Sequence, residues 1–127
     1  MTTSFWLFAA ICGAGGLGAA LRYAVDAVIT PRAAASFPIA TTVINVTGSF
    51  GLGVIVGAAA SAGLPTEWVL VGGGGLMGGY TTFSTASLET ARLLQKRRYL
   101  AAVANGLGTA VLAVGGAALG VVIGSAL

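Results

Sequence analysis

Four long apolar runs, at about Phe5–Ile29, Pro38–Ala62, Trp68–Leu94 and Leu100–Leu127, take up nearly all of this 127-residue chain. Each is long enough to cross a hydrocarbon core, which takes roughly 20 apolar residues per helix. Only 7% of the residues are charged, against about 25% in a soluble domain, so the chain lacks the polar surface a water-soluble fold needs. The expected fold is an all-α integral membrane protein: one domain over residues 1–127, built of four transmembrane helices with short loops.

The N-terminus carries no basic stretch within Met1–Ser4, so the first run reads as a retained helix and not as a cleaved signal peptide. Cys12 is the single cysteine and no histidine is present. An internal disulfide is therefore impossible, and the ligand clusters of zinc or thiol sites have no raw material. Within an apolar segment Cys12 reads as a small packing residue.

With four crossings, the N-terminus, the second loop and the C-terminus share one side of the bilayer. Arg22 and Arg32 flank the first loop, and Arg92, Lys96, Arg97 and Arg98 flank the third. All six cations thus fall on one side, and the other side has only Glu67 and the termini. Basic loops stay cytoplasmic, which predicts a multi-pass plasma-membrane protein with both termini outside. The pI of 9.6 reflects this cluster. It reads as a topology signal with lipid-headgroup contact and not as a nucleic-acid surface.

The polar residues inside the apolar runs are few. In GGLGAALRY, residues 15–23, small side chains allow close helix approach. Arg22 lies about 27 Å along a helix from Ser4, near the inner interface. Snorkelling, pairing with Asp26 and lining an aqueous vestibule all fit it. Asn45 must find partners for its amide, either as interhelical glue or as pore lining. Thr41 and Thr42 can bond back to their own helix. Asn105 and Thr109, four apart, share a helix face, which suits a polar track or interhelical bonding equally.

The run LMGGYTTFSTAS, residues 76–87, sets glycines and hydroxyls in the middle of the third segment. Ten helical residues from Trp68 to Met77 rise about 15 Å, half the hydrocarbon thickness. The glycines therefore fall near the bilayer midplane, with a second half starting at about Thr82. Either they kink the helix for packing, or the helix is broken and the freed backbone is buried or lines a cavity. Carbonyls released at a break suit a hard cation. Asp26 and Glu89, near helix ends, are the only carboxylates close to the interior, and no nucleophile–base pair appears. An enzyme is not expected.

Three motifs in order, GGLGAALRY, then NVTGSF at 45–50, then GGYTTFST at 78–85, resemble the Fluc (CrcB-type) fluoride channel family over nearly the whole chain. The resemblance implies an antiparallel dimer of four-helix subunits, with the third helix broken near the midplane, giving passive fluoride export that lowers cytoplasmic fluoride. It implies a structural, untransported sodium ion on the two-fold axis, held by backbone carbonyls that correspond here to Gly78 and Thr81. It implies a fluoride pathway through Asn45, Phe83, Ser84 and Thr85, with Thr109 as a further hydroxyl, and Arg22 at the vestibule. Aromatic ring edges carry partial positive charge and can face an anion. One departure stands out: the family's second phenylalanine, three residues after the first, is Ala86 here.

The charge bias bears on assembly. One sequence inserted both ways needs a weak positive-inside bias, and six cations to none is strong. A heterodimer with an oppositely oriented paralogue is favoured over a homodimer. Two other function classes compete. A small multidrug exporter needs a membrane-embedded carboxylate in helix one, and there is none before Asp26. A non-conducting structural subunit would use the same polar residues only as glue.

Overall fold

The computed structural model describes residues 4–127, and among these every regular element is helical. Helix α1, Phe5–Ile29, begins at Ser4, whose hydroxyl accepts the Leu7 N–H at 3.1 Å, and closes in a 3-10 turn at Thr30–Arg32. That capping bond satisfies one of the four amide donors every helix start leaves open. Helix α2, Ile39–Ala62, stops at Gly63, whose φ of +68° is the left-handed conformation glycine adopts without strain. Helix α3 covers residues 66–80 and has wide π-type turns at Val69–Met77. Helix α4, Phe83–Gln95, follows after two extended residues, and α5, Tyr99–Ser125, has a further π stretch at Ala104–Gly108.

Three helices, Phe5–Arg32, Ile39–Ala62 and Tyr99–Ser125, are long and apolar enough to cross a membrane. The third expected span, 68–94, is instead two shorter helices in series. The interruption lies at Thr81–Thr82 and not at the glycines, because Gly78–Tyr80 is still helical. The absence of basic residues in Met1–Thr3 concerns positions outside the described residues.

The glycines are used for packing. A Cβ added at Gly18 would collide with the Leu76 carbonyl, one at Gly79 with the Gly15 carbonyl, and one at Gly75 would sit 2.8 Å from the Ile11 carbonyl. These contacts advance in the same direction along both helices, so α1 and α3 run parallel. A second seam joins α2 and α5. There Gly53 and Gly57 abut the carbonyls of Ala117 and Val121, while Gly120 and Gly124 abut those of Phe50 and Val54. This pair is parallel too. In lipid, where burial of apolar side chains gives little drive, such backbone-to-backbone contact supplies the dispersion attraction that holds helices together.

The two ends of the bundle are pinned differently. At one end Arg98 donates to the Ser36 carbonyl, joining the first and third basic connections. At the other, Ser61 donates to the Gly57 carbonyl at 3.1 Å and lies 3.4 Å from that of Gly124, tying α2 to α5. The path from α3 through α4 therefore runs from one end of the bundle to the other.

Candidate functional site

The junction between α3 and α4 is where the polar residues converge. Thr81 (φ −78°, ψ 161°) and Thr82 (φ −147°, ψ 118°) are extended, so the last carbonyls of α3 lose their usual partners. Asn45, projecting from α2, meets the exposed backbone with both ends of its amide. Its Oδ1 accepts the Thr82 N–H at 2.8 Å and its Nδ2 donates to the Thr82 carbonyl at 2.9 Å. A single side chain thus replaces what a neighbouring strand would provide, and the buried backbone is satisfied.

Thr82 also starts α4. Its hydroxyl accepts the Thr85 N–H at 3.2 Å, donates to the Thr85 hydroxyl at 3.0 Å, and lies 3.4 Å from that of Ser84. Thr82 itself is buried, whereas Ser84 and Thr85 are exposed. From α1, Arg22 donates through Nη1 to the Thr81 carbonyl at 3.3 Å. Of the three readings the sequence left for Arg22, neither simple snorkelling nor pairing with Asp26 describes this geometry: the guanidinium turns to the junction. Asp26 accepts from the Thr30 hydroxyl at 3.0 Å instead.

Two grooves flank α4. The first, about 630 Å³, is lined among others by Asn45, Gly78, Thr81, Phe83, Ala86 and Thr109. The second, about 570 Å³, is lined by Arg22, Asp26, Thr41, Thr85 and Glu89 together with Thr82. The sequence-derived set is therefore divided. Asn45, Phe83 and Thr109 share one groove with the two carbonyl candidates, Thr85 shares the other with Arg22, and Ser84 lines neither. Phe83 stands at the rim of the first groove with 88% of its surface exposed, so the described residues leave its ring almost bare.

The structure adds members that the sequence alone missed and resolves others that it left open, Asn105 among them. Thr82 is the hub of the junction through its backbone, which no residue-type pattern announces. Thr42 does bond back along its own helix, to the Pro38 carbonyl at 3.5 Å, but its hydroxyl also lies 3.1 Å from that of Thr109, a partner the sequence did not indicate. Asn105, 1% exposed, donates to the Thr90 hydroxyl at 2.9 Å and the Ala86 carbonyl at 3.3 Å, which fastens α4 to α5 beneath the first groove. Thr47 pairs with the Tyr80 hydroxyl at 2.9 Å. The i, i+4 spacing of Asn105 and Thr109 and the back-bonding capacity of Thr42 were the signals that pointed to some of these contacts.

The carbonyls fit a hard cation. In an α-helix the Thr82 N–H would close on the Gly78 carbonyl, but Asn45 takes that N–H instead. Gly78 is exposed to the groove, and a Cβ there would find its nearest atom, the Gly73 carbonyl oxygen, at 3.8 Å. Packing within the chain therefore does not require glycine at this position. The Thr81 oxygen carries one donor from Arg22 and keeps a second lone pair. No group of three His, Cys, Asp or Glu side chains able to hold a metal occurs among the described residues. Backbone oxygen is the donor set on offer, and it suits sodium-like ions.

Comparison with known proteins gives a consistent result. The family described as CrcB-like protein, Camphor Resistance (CrcB), matches residues 8–121. A protein of Leifsonia xyli named Fluoride-specific ion channel FluC 1 is 53% identical over 115 residues, covering 91% of this chain and 84% of its own. Fluoride-specific ion channel FluC 2 of Mycobacterium tuberculosis is 39% identical over 120 residues, covering 94% and 90%. A FluC 1 of Frankia casuarinae is 41% identical over 128 residues, covering 96% and 97%. These relatives are named as ion channels and not as enzymes.

Proposed function

The chain belongs to the CrcB family, and from that premise we propose that it is a subunit of a fluoride-specific channel that lets cytoplasmic fluoride leave passively. The subunit spans residues 1–127, crosses the plasma membrane four times, and pairs with an inverted partner. The α3–α4 junction lies near the bilayer midplane.

The observation that carries this reading is the α3–α4 junction itself. An interrupted helix at membrane depth is tolerated where its backbone is buried in protein or lines a cavity, and Thr81–Thr82 has a groove on each side. Fluoride is small and strongly hydrated, so a pathway must offer replacement donors without holding the ion too firmly. The second N–H of Asn45, the edge of the Phe83 ring and the hydroxyls of Ser84, Thr85 and Thr109 are such donors. Arg22 adds positive charge at the vestibule, which raises local anion concentration. The bare Phe83 ring supports a second subunit as the surface that completes the pathway.

A structural sodium ion at the dimer centre would be held by the carbonyls of Gly78 and Thr81 from each subunit. When bound, it would supply fixed positive charge and a shared ligand joining the two subunits. The residues of this chain do the remaining work of keeping those oxygens free and directed to the groove. Six cations on one side favour an oppositely biased paralogue as the partner. Ala86 leaves one ring edge missing from any pathway that uses that position. The multidrug-exporter alternative is weakened because Asp26 sits at the end of α1 and is bonded to Thr30. A purely structural role would leave the groove donors without purpose.

The test is fluoride efflux from sodium-containing liposomes holding the purified chain, read with a fluoride electrode. Rapid efflux from the chain alone establishes a homodimeric channel and overturns the heterodimer. Efflux only after co-expression with an oppositely biased paralogue establishes the pair. No efflux in either case overturns the channel reading.

A further inference from the structure

We propose that Asn45 is a positioning residue for the cation site: by taking the Thr82 N–H, it keeps the Gly78 carbonyl free to bind an ion. This rests on the sodium reading above and assigns Asn45 a task separate from contact with fluoride.

The geometry leads there in three steps. In a continuous helix the Thr82 N–H would donate to Gly78, four residues back, and the Gly78 oxygen would be closed off. Asn45 Oδ1 intercepts that N–H at 2.8 Å, and Nδ2 holds the Thr82 carbonyl at 2.9 Å. Two bonds from one planar amide fix the Thr82 peptide groups in the extended conformation, so the helix does not reclose through the junction. The local sequence does not enforce the break: Tyr80, Thr81 and Thr82 can all be helical, and no proline lies between Thr66 and Gln95. The instruction to break comes from a residue 37 positions earlier, on α2.

The two ends of the amide have separable duties. The acceptor, Oδ1, keeps Gly78 open. The donor, Nδ2, braces Thr82 and has one further N–H for other partners. Asn45→Asp retains an acceptor oxygen and loses the amide donor. Asn45→Ala loses both, and the Thr82 N–H is then free to return to Gly78.

The experiment is thermal unfolding of whichever assembly gives fluoride efflux, the chain alone or with its paralogue, across a sodium series balanced with N-methylglucamine. An ion that binds only the folded assembly raises the melting temperature steadily with the logarithm of its concentration. The expected result is a sodium-dependent rise for the wild type, a retained rise for Asn45→Asp and a flat response for Asn45→Ala. A wild-type-like rise in Asn45→Ala overturns the proposal while leaving the sodium reading intact. If Asn45→Ala yields no folded assembly, Asn45→Asp decides, because a folded Asn45→Asp assembly without a sodium response overturns the proposal. A conducting wild type that shows no sodium response overturns the sodium reading and this inference together. Efflux is measured in parallel, since loss of flux in both variants with sodium response kept in one separates the anion and cation tasks.

Discussion

The seam between α2 and α5 and the junction between α3 and α4 are both rich in residues that weaken an isolated helix, yet they are built on opposite terms. Along the seam, Gly53, Gly57, Gly120 and Gly124 bring two unbroken helices together until backbone meets backbone. At the junction, the backbone leaves its helix and is met by the Asn45 amide, the Thr82 hydroxyl and the Arg22 guanidinium. One region is closed and tolerates no added atom. The other opens on two grooves and leaves Phe83 bare. Glycine content alone therefore does not mark loose packing here: the glycine-rich seam is the close-packed part, and the threonine-rich junction is the one bordered by grooves.

The contrast predicts a graded set of responses. The largest belongs to Gly120→Val, which forces atoms into the Phe50 carbonyl and should destabilise the fold by about 3 kcal/mol, the upper end of typical overpacking costs. Loss of the folded species in size-exclusion profiles checks it; normal recovery and melting would show that the seam gives way. Phe83→Ile should act in the opposite manner. It removes an exposed ring, leaves assembly and melting unchanged, and lowers fluoride efflux by on the order of tenfold, equivalent to about 1.4 kcal/mol of barrier. Unchanged efflux would remove Phe83 from the pathway.

Thr109→Val tests the boundary between the two regions, since Thr109 begins above the seam and touches Thr42 at the groove. Deleting one hydroxyl of that pair should cost about 1 kcal/mol, visible as a small fall in melting temperature. A larger loss would mean that the part-buried hydroxyl pair is part of a wider network. The smallest effect is expected at Gly13, where an added Cβ meets nothing within 4 Å. Gly13→Ala should stabilise by about 0.5 kcal/mol through reduced freedom of the unfolded chain. A destabilised assembly with an intact subunit would place Gly13 against the partner.

Much of the architecture was legible because hydropathy and charge act over long windows. Expected spans of 5–29, 38–62 and 100–127 meet helices at Phe5–Ile29, Ile39–Ala62 and Tyr99–Ser125. The third span was less legible for a specific reason. Gly78 and Gly79 look like the weak point by propensity, but close contact of Gly79 with α1 keeps them helical. The interruption falls at Thr81–Thr82, where the Thr82 hydroxyl caps α4 and Asn45 binds the backbone; the cap has a local signature, whereas the Asn45 contact comes from another helix and has none. Thr82 was read as the start of the second half, but its part in the site escaped notice because it acts through its N–H and C=O, which every non-proline residue has. Thr42 was discounted through its capacity to bond locally, and only the packing of α5 shows its second partner. Asn45 and Arg22, whose polarity demands partners in lipid, were the members most readily seen.

The glycine seams also have a consequence for how this chain can change over generations. A contact formed by side chains can drift in either direction, because a larger group on one face can be offset by a smaller one opposite. A contact formed by the absence of side chains has no such freedom, since every replacement at Gly53, Gly57, Gly120 or Gly124 adds atoms where backbone already stands. The seam is a one-way ratchet against variation. The open spaces at Gly13, Gly16, Gly74, Gly108 and Gly115 are the helical glycine positions where an added Cβ meets nothing within 4 Å in the subunit.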